Sequence, residues 1–265
     1  MKIPEEVLQK VMSSDQTTRD LAKKGDLEKI KEHSEHEFNV ACVNTPSFQN
    51  SHKIEGLYAI TPDLVDTGDL LNRTQQAIIG GAKVIQYRNK RAQQSLLIEQ
   101  AQLLQQLCKD YEIPLIINDN IDLAVDIDAD GVHLGQHDAK ILDAKERLDH
   151  TKIIGISCYN RLDLAIRAEQ EGASYVAFGA FFPSVTKPDA IPVAMSLMDQ
   201  AHKSISIPVI AIGGIRLNNA KSVIEKGCAA IAVCNELFSA DEIVTTAAQF
   251  TQLFETSFSK RINTF

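Results

Sequence analysis

Residues 153–182 read IIGISCYNRLDLAIRAEQEGASYVAFGAFF. An unbroken apolar run, Ile153–Ile156, is followed by an amphipathic segment, Leu162–Glu171, then by Gly172 and a second apolar run, Tyr175–Phe182. Runs that are apolar throughout, rather than alternating with polar residues, are how parallel strands buried on both faces read. Glycine just past the amphipathic segment supplies the residue that ends a helix. The unit is strand, helix, strand.

The same unit repeats outward in both directions. Upstream lie the runs Leu57–Ile60, Val84–Tyr87, Pro114–Ile117 and Gly131–Leu134; downstream lie Pro208–Ile212 and Ala229–Val233, which makes eight. Leu70–Ile79, Ser95–Lys109 and Asn219–Lys226 read as amphipathic helices, and Ile79-Gly80-Gly81 and Lys226-Gly227 repeat the glycine stop. Eight such repeats over roughly 200 residues predict an α/β fold, a (β/α)8 TIM barrel. A doubly wound open sheet would show fewer strands and a glycine-rich loop after the first, where this chain has Ile60-Thr61-Pro62-Asp63.

The barrel is assigned to residues 53–258, with 259–265 as a tail. Residues 1–52 form a partly helical extension and linker: Val7, Leu8, Val11 and Met12 have helical spacing, Leu21, Leu27 and Ile30 suggest a second helix broken at Gly25, and Asn39–Lys53 is polar around Pro46. His33 and His36 read as solvated side chains of a charged helix. No function is legible in this extension.

A chain of 265 residues with 44% hydrophobic and 23% charged residues has the make-up of a soluble globular protein. Its net charge of −8 argues against a nucleic-acid partner, whose footprint is a basic face, but does not exclude small anions held by a few local cations. Five cysteines without a C-x-x-C pair fit a reducing compartment. The first residues lack an apolar signal region, and no apolar run reaches membrane-spanning length. A cytoplasmic location is expected, and a homo-oligomer is neither required nor excluded.

In barrels of this kind the site stands at the carboxyl ends of the strands. Those ends carry Gln86-Tyr87-Arg88-Asn89-Lys90, Asn118-Asp119-Asn120, Gly135-Gln136-His137-Asp138, Ser157, Pro183-Ser184-Val185-Thr186-Lys187, Gly213-Gly214 and Cys234-Asn235. Asp119 and Asp138, from neighbouring strands, can converge on a hard cation such as Mg²⁺, which takes one or two carboxylates and completes its shell with water and phosphate oxygens. Arg88, Lys90 and Lys187 add positive charge, and the Gly213-Gly214 turn offers backbone N–H groups where barrels often hold phosphate. Together these suggest two phosphorylated small-molecule ligands. Plainer readings stand beside them: Asp119 as a helix cap, Gly213-Gly214 as a tight turn, and His133 as a histidine of the barrel interior.

On these segments, with Leu57-Tyr58-Ala59-Ile60-Thr61, Asp130 to Gln136, Gly155-Ile156-Ser157 and Ile212 to Ile215, the chain resembles the thiamine phosphate synthase family over about residues 56–255. The resemblance implies a Mg²⁺-dependent transferase joining a pyrimidine diphosphate to a thiazole phosphate with release of diphosphate. It implies that Gln86, Tyr87, Arg88, Asn89, Lys90, Asn118, Ser157 and Lys187 bind the pyrimidine diphosphate. Arg88, Lys90, Ser157 and Lys187 would serve the chemistry, and Asp119 and Asp138 would hold the metal. Ser184, Val185, Thr186, Gly214, Cys234 and Asn235 would bind the thiazole phosphate, although Cys234 and Asn235 depart from the family's usual residues. A thiazole tautomerase of the same family would place a histidine where Phe178-Gly179-Ala180 stands. A silent thiamine phosphate binder would not need the acidic pair.

Overall fold

The structure, a computed structural model, describes residues 54–183 and 191–262. Eight parallel strands close into a barrel in sequence order, the eighth pairing with the first. The strands are β1 (Gly56–Ile60), β2 (Ala82–Tyr87), β3 (Leu115–Asn118), β4 (Gly131–Leu134), β5 (Ile153–Ser157), β6 (Tyr175–Gly179), β7 (Val209–Ile212) and β8 (Ala230–Val233). Between and after them run α1 (Thr67–Ile79), α2 (Gln94–Asp110), α3 (Ile121–Asp126), α4 (Ile141–Arg147), α5 (Leu162–Glu171), α6 (Ser196–Ser204), α7 (Leu217–Glu225), α8 (Asn235–Phe238) and α9 (Ile243–Ile262). The expected TIM barrel is present, and α9 continues past residue 258. Among the described residues no helix is long and apolar enough to cross a membrane.

Successive strand side chains point to opposite faces, and here both faces are buried. Outward residues such as Leu57, Ile85, Leu115, Val132, Ile156, Phe178 and Val209 share one core with the helices. Inward residues such as Tyr58, Val84, Ile116, Tyr175, Ile210 and Ala230 fill the lumen, with Ile54 among them. Burying one such aliphatic side chain contributes about 1.5–3 kcal/mol.

Local chemistry fixes the ends of the elements. Asp66 caps α1 by accepting from Asp69 N–H at 2.8 Å, and α5 ends on left-handed Gly172. Pro114 and Pro208 fall outside the strands they were expected to open, yet their carbonyls accept from Ile85 and Val176 N–H. The run Tyr175–Phe182 is strand only to Gly179. Phe181 and Phe182 N–H bond the carbonyls of Ile212 and Gly213 as the chain leaves the ladder over the barrel mouth.

Candidate active site at the carboxyl ends of the strands

A cavity of about 1090 Å³ opens at the carboxyl ends of the strands. Gln86, Arg88, Asn118, Ser157, Gly214, Cys234 and Asn235 all line it. A smaller hollow of about 290 Å³ holds Lys90, Asp119, Tyr87 and Asn89, and Asn118 borders both. Ser184, Val185, Thr186 and Lys187 lie outside the described residues.

The acidic pair is brought together. Asp119 sits at φ 62, a left-handed conformation that Asp and Asn tolerate better than most residues. Helix α3 is capped by Asn120, whose Oδ1 accepts from Leu123 N–H at 3.0 Å, so the reading of Asp119 as a cap is overturned. The Asp119 carboxyl instead meets that of Asp138. Burial, then a hydrogen bond and charge from Asp138, hold Asp119 above the usual carboxylate range, and Lys90 pulls it back. Asp138 is steadied by Gly135 N–H, which donates to its Oδ2 at 2.7 Å. A carboxyl whose proton affinity is raised by burial and by a neighbouring carboxyl belongs to a donor set suited to a divalent cation.

Asp63, read from the sequence only as part of the end of the first strand, anchors the segment that carries the cations. Its Oδ1 accepts from Arg88 Nη1 at 3.0 Å and from Lys90 N–H at 2.9 Å. Thr61 adds a clasp: its hydroxyl accepts from Arg88 N–H and donates to Arg88 O. The end of β1 thus sets the path of the segment carrying Arg88 and Lys90.

Two expected contact residues are turned away from the main cavity. Tyr87, an outward residue of β2, donates to Gln100 Oε1 at 2.8 Å. Asn89 donates to Leu64 O and Gln100 Oε1 and accepts from Arg91 and Ala92 N–H. That uses its full hydrogen-bonding capacity, so both side chains shape the β2–α2 turn.

The Gly213-Gly214 turn is required by geometry. Both glycines have positive φ, and a Cβ on Gly214 would lie 2.3 Å from Pro183 O. Beyond it, Arg216, Tyr159 and Asn160 also line the cavity. Sequence reasoning missed all three. The signal available for Arg216 was a basic residue two positions past a glycine turn. Burial pushes the Cys234 thiol up to about 11, with Arg88 opposing, which keeps it protonated at neutral pH. His133 is an interior histidine as read, and it also reaches the cavity wall, bonding Ser157 Oγ at 2.9 Å.

The family described as Thiamine monophosphate synthase matches residues 57–237. A thiamine-phosphate synthase of Nitrosospira multiformis is 53% identical over 203 residues, 77% of this chain and 87% of that one. The Nitrosomonas eutropha thiamine-phosphate synthase is 48% identical over 76% of this chain and 95% of its own. Among solved structures, thiamine phosphate pyrophosphorylase from Pyrococcus furiosus superposes with a TM-score of 0.70 at 33% identity, covering 80% of this chain and 99% of that one. Fold, cavity and sequence agree, and the chain belongs to the thiamine monophosphate synthase family.

Proposed function

We infer that this chain is a transferase of thiamine biosynthesis. It condenses 4-amino-2-methyl-5-(diphosphooxymethyl)pyrimidine with 4-methyl-5-(2-phosphoethyl)thiazole to give thiamine phosphate and diphosphate. One observation carries the reading: Gln86, Arg88, Asn118 and Ser157 share a cavity that adjoins the hollow holding Lys90 and Asp119. Amide, cation and carboxylate groups are gathered where a diphosphate and its counter-ion need them.

In this reading Arg88, Lys90 and Lys187 take up the charge that develops on the departing diphosphate, and Ser157 and Asn118 hold it by hydrogen bonds. Asp119 and Asp138 hold Mg²⁺, which when bound adds further neutralisation of the leaving group. Gln86 orients the aminopyrimidine. Gly214, Cys234 and Asn235, with Ser184, Val185 and Thr186, hold the thiazole phosphate. The methylene–oxygen bond breaks with its electron pair leaving on diphosphate, and the aminopyrimidine ring spreads the positive charge left on the methylene carbon. The thiazole nitrogen then forms the new bond with its own lone pair. No proton has to be removed, so no general base is needed.

The tautomerase reading needs an acid/base residue after β6. That position is Ala180, packed against Gly213. Location in the cytoplasm and the division at residues 52 and 258 belong to the same proposal.

The experiment is diphosphate release by the purified chain with both substrates and Mg²⁺, omitting each in turn. Release that needs all three, with an equal amount of thiamine phosphate, is expected. A folded protein that releases none would overturn the reading.

A further inference from the structure

Below the cavity the barrel lumen contains a continuous polar thread. Tyr58 and Tyr175, 1% and 0% exposed, meet with their hydroxyls 2.8 Å apart. From this pair, hydrogen bonds climb to the cavity wall on both sides. Gln86 Nε2 donates to Tyr58 OH at 2.9 Å. On the other side Tyr175 OH is 2.9 Å from His133 Nδ1, and His133 Nε2 is 2.9 Å from Ser157 Oγ. Gly155 makes room for this arrangement, because a Cβ there would lie 2.0 Å from Tyr175 Cζ.

Such a thread has a direction. Burial pushes both phenols well above their ordinary range, so each keeps one proton to give. A neutral imidazole also has one N–H and one acceptor nitrogen. With Gln86 N–H donating to Tyr58, Tyr58 gives its proton to Tyr175 and Tyr175 gives its own to His133 Nδ1. The imidazole is then protonated at Nε2 and donates to Ser157. The Ser157 hydroxyl proton remains for the cavity, and so does the Gln86 carbonyl oxygen. Run the other way, the thread would commit the Ser157 proton to His133 and turn the Gln86 amino group toward the ligand.

Only one direction serves the substrate, a point that rests on the functional reading above. Diphosphate oxygens accept and cannot donate, so Ser157 must donate. The pyrimidine amino group donates, and a Gln86 carbonyl oxygen turned to the cavity accepts from it. These two requirements, at opposite ends of five residues, call for the same polarity.

We propose that Gln86, Tyr58, Tyr175, His133 and Ser157 form a polarised positioning chain that fixes His133 as its Nε2–H tautomer. The chain thereby presents an acceptor to the pyrimidine amino group and a donor to the diphosphate. Tyr58 and Tyr175 are positioning residues. Neither lines the cavity, and both act through the residues above them.

The test reads the tautomer in the full-length protein without ligand, by ¹⁵N NMR of histidine-labelled chain, with His133→Asn to assign the His133 signals. The wild type should show Nε2–H and an unprotonated Nδ1. Tyr175→Phe removes the donor to Nδ1 and should give a mixture of tautomers or the Nδ1–H form. The same variant should raise KM for the pyrimidine diphosphate roughly tenfold, the scale of one good hydrogen bond, and leave KM for the thiazole phosphate within about twofold. Tyr58→Phe, which breaks the thread one residue earlier, gives the same split should Tyr175→Phe fold poorly. A wild-type Nδ1–H tautomer, an unchanged tautomer in both variants, or equal changes in the two KM values would overturn the proposal. Absence of synthase activity in the wild type would overturn the functional reading instead, and the tautomer would still decide the thread.

Discussion

Lys90 Nζ lies 3.5 Å from Asp119 Oδ2, which ties a cation assigned to the diphosphate to a carboxylate assigned to the metal. Losing the Asp119 charge should therefore disturb both. Asp119→Asn is the informative change, since Asn tolerates the φ of 62 that would strain Ala. Turnover should fall by about 10²–10³-fold, the scale of removing one electrostatic stabiliser, and Asp138→Ala should do the same. Steady-state kinetics over a range of Mg²⁺ checks this, and near-normal rates at low Mg²⁺ would remove the metal assignment.

The same substitution makes a prediction about pH. The Asp119 carboxyl is held above its ordinary value by burial first and Asp138 second, so the metal-free fold binds this proton more tightly than the unfolded chain does. Its contribution to stability is complete below the unfolded carboxylate value, about 3.9, and is lost as pH rises through the folded value. In EDTA, Asp119→Asn should melt higher than the wild type at neutral pH, and the gap should close as pH is lowered toward the unfolded value. Thermal melts across that window decide it; a gap independent of pH would contradict the assignment.

Asp63 should matter for activity through the Arg88 guanidinium and the Lys90 backbone that it holds. Asp63→Asn weakens the bonds to Arg88 Nη1 and Lys90 N–H. Hydrogen bonds to charged groups are worth about 1.5–3 kcal/mol, so kcat/KM for the pyrimidine diphosphate should drop roughly 10–100-fold. The thermal midpoint should move little, because Asp63 lies at the rim. An unchanged kcat/KM would show that Arg88 finds its place unaided.

Gly155→Ala should destabilise the barrel. The added methyl would meet the Tyr175 ring, and overpacking a core costs about 1–3 kcal/mol. Chemical denaturation should show the loss as a lower midpoint with unchanged slope. Wild-type stability would mean that Tyr175 moves without cost.

A chain that starts at Ser51 should fold and turn over. It keeps Ile54, which packs within the lumen, and every strand of the closed barrel. Loss of a cooperative thermal transition would show that residues 1–50 complete the domain.

The apolar runs made the strand count legible, and helix Leu162–Glu171 was legible to the residue because glycine and the strand pattern bracket it. What the runs concealed is which residues face inward. Tyr58 and Leu57 look alike in a buried parallel strand, yet one lies in the lumen and the other under the helices. Gln86, Arg88, Asn118 and Ser157 could be chosen because strand ends converge in any barrel. Asp63 could not, since its partners stand 25 and 27 residues away.

By itself, then, the sequence determined the architecture and the residue types offered to the candidate site, because periodicity, glycine stops and residue type at strand ends are local properties. The tertiary structure alone decided the pairings: Asp119 with Asp138, Asp63 with Arg88, and the thread from Gln86 to Ser157. Those depend on strand register and on barrel closure, which bring together side chains that no local pattern relates.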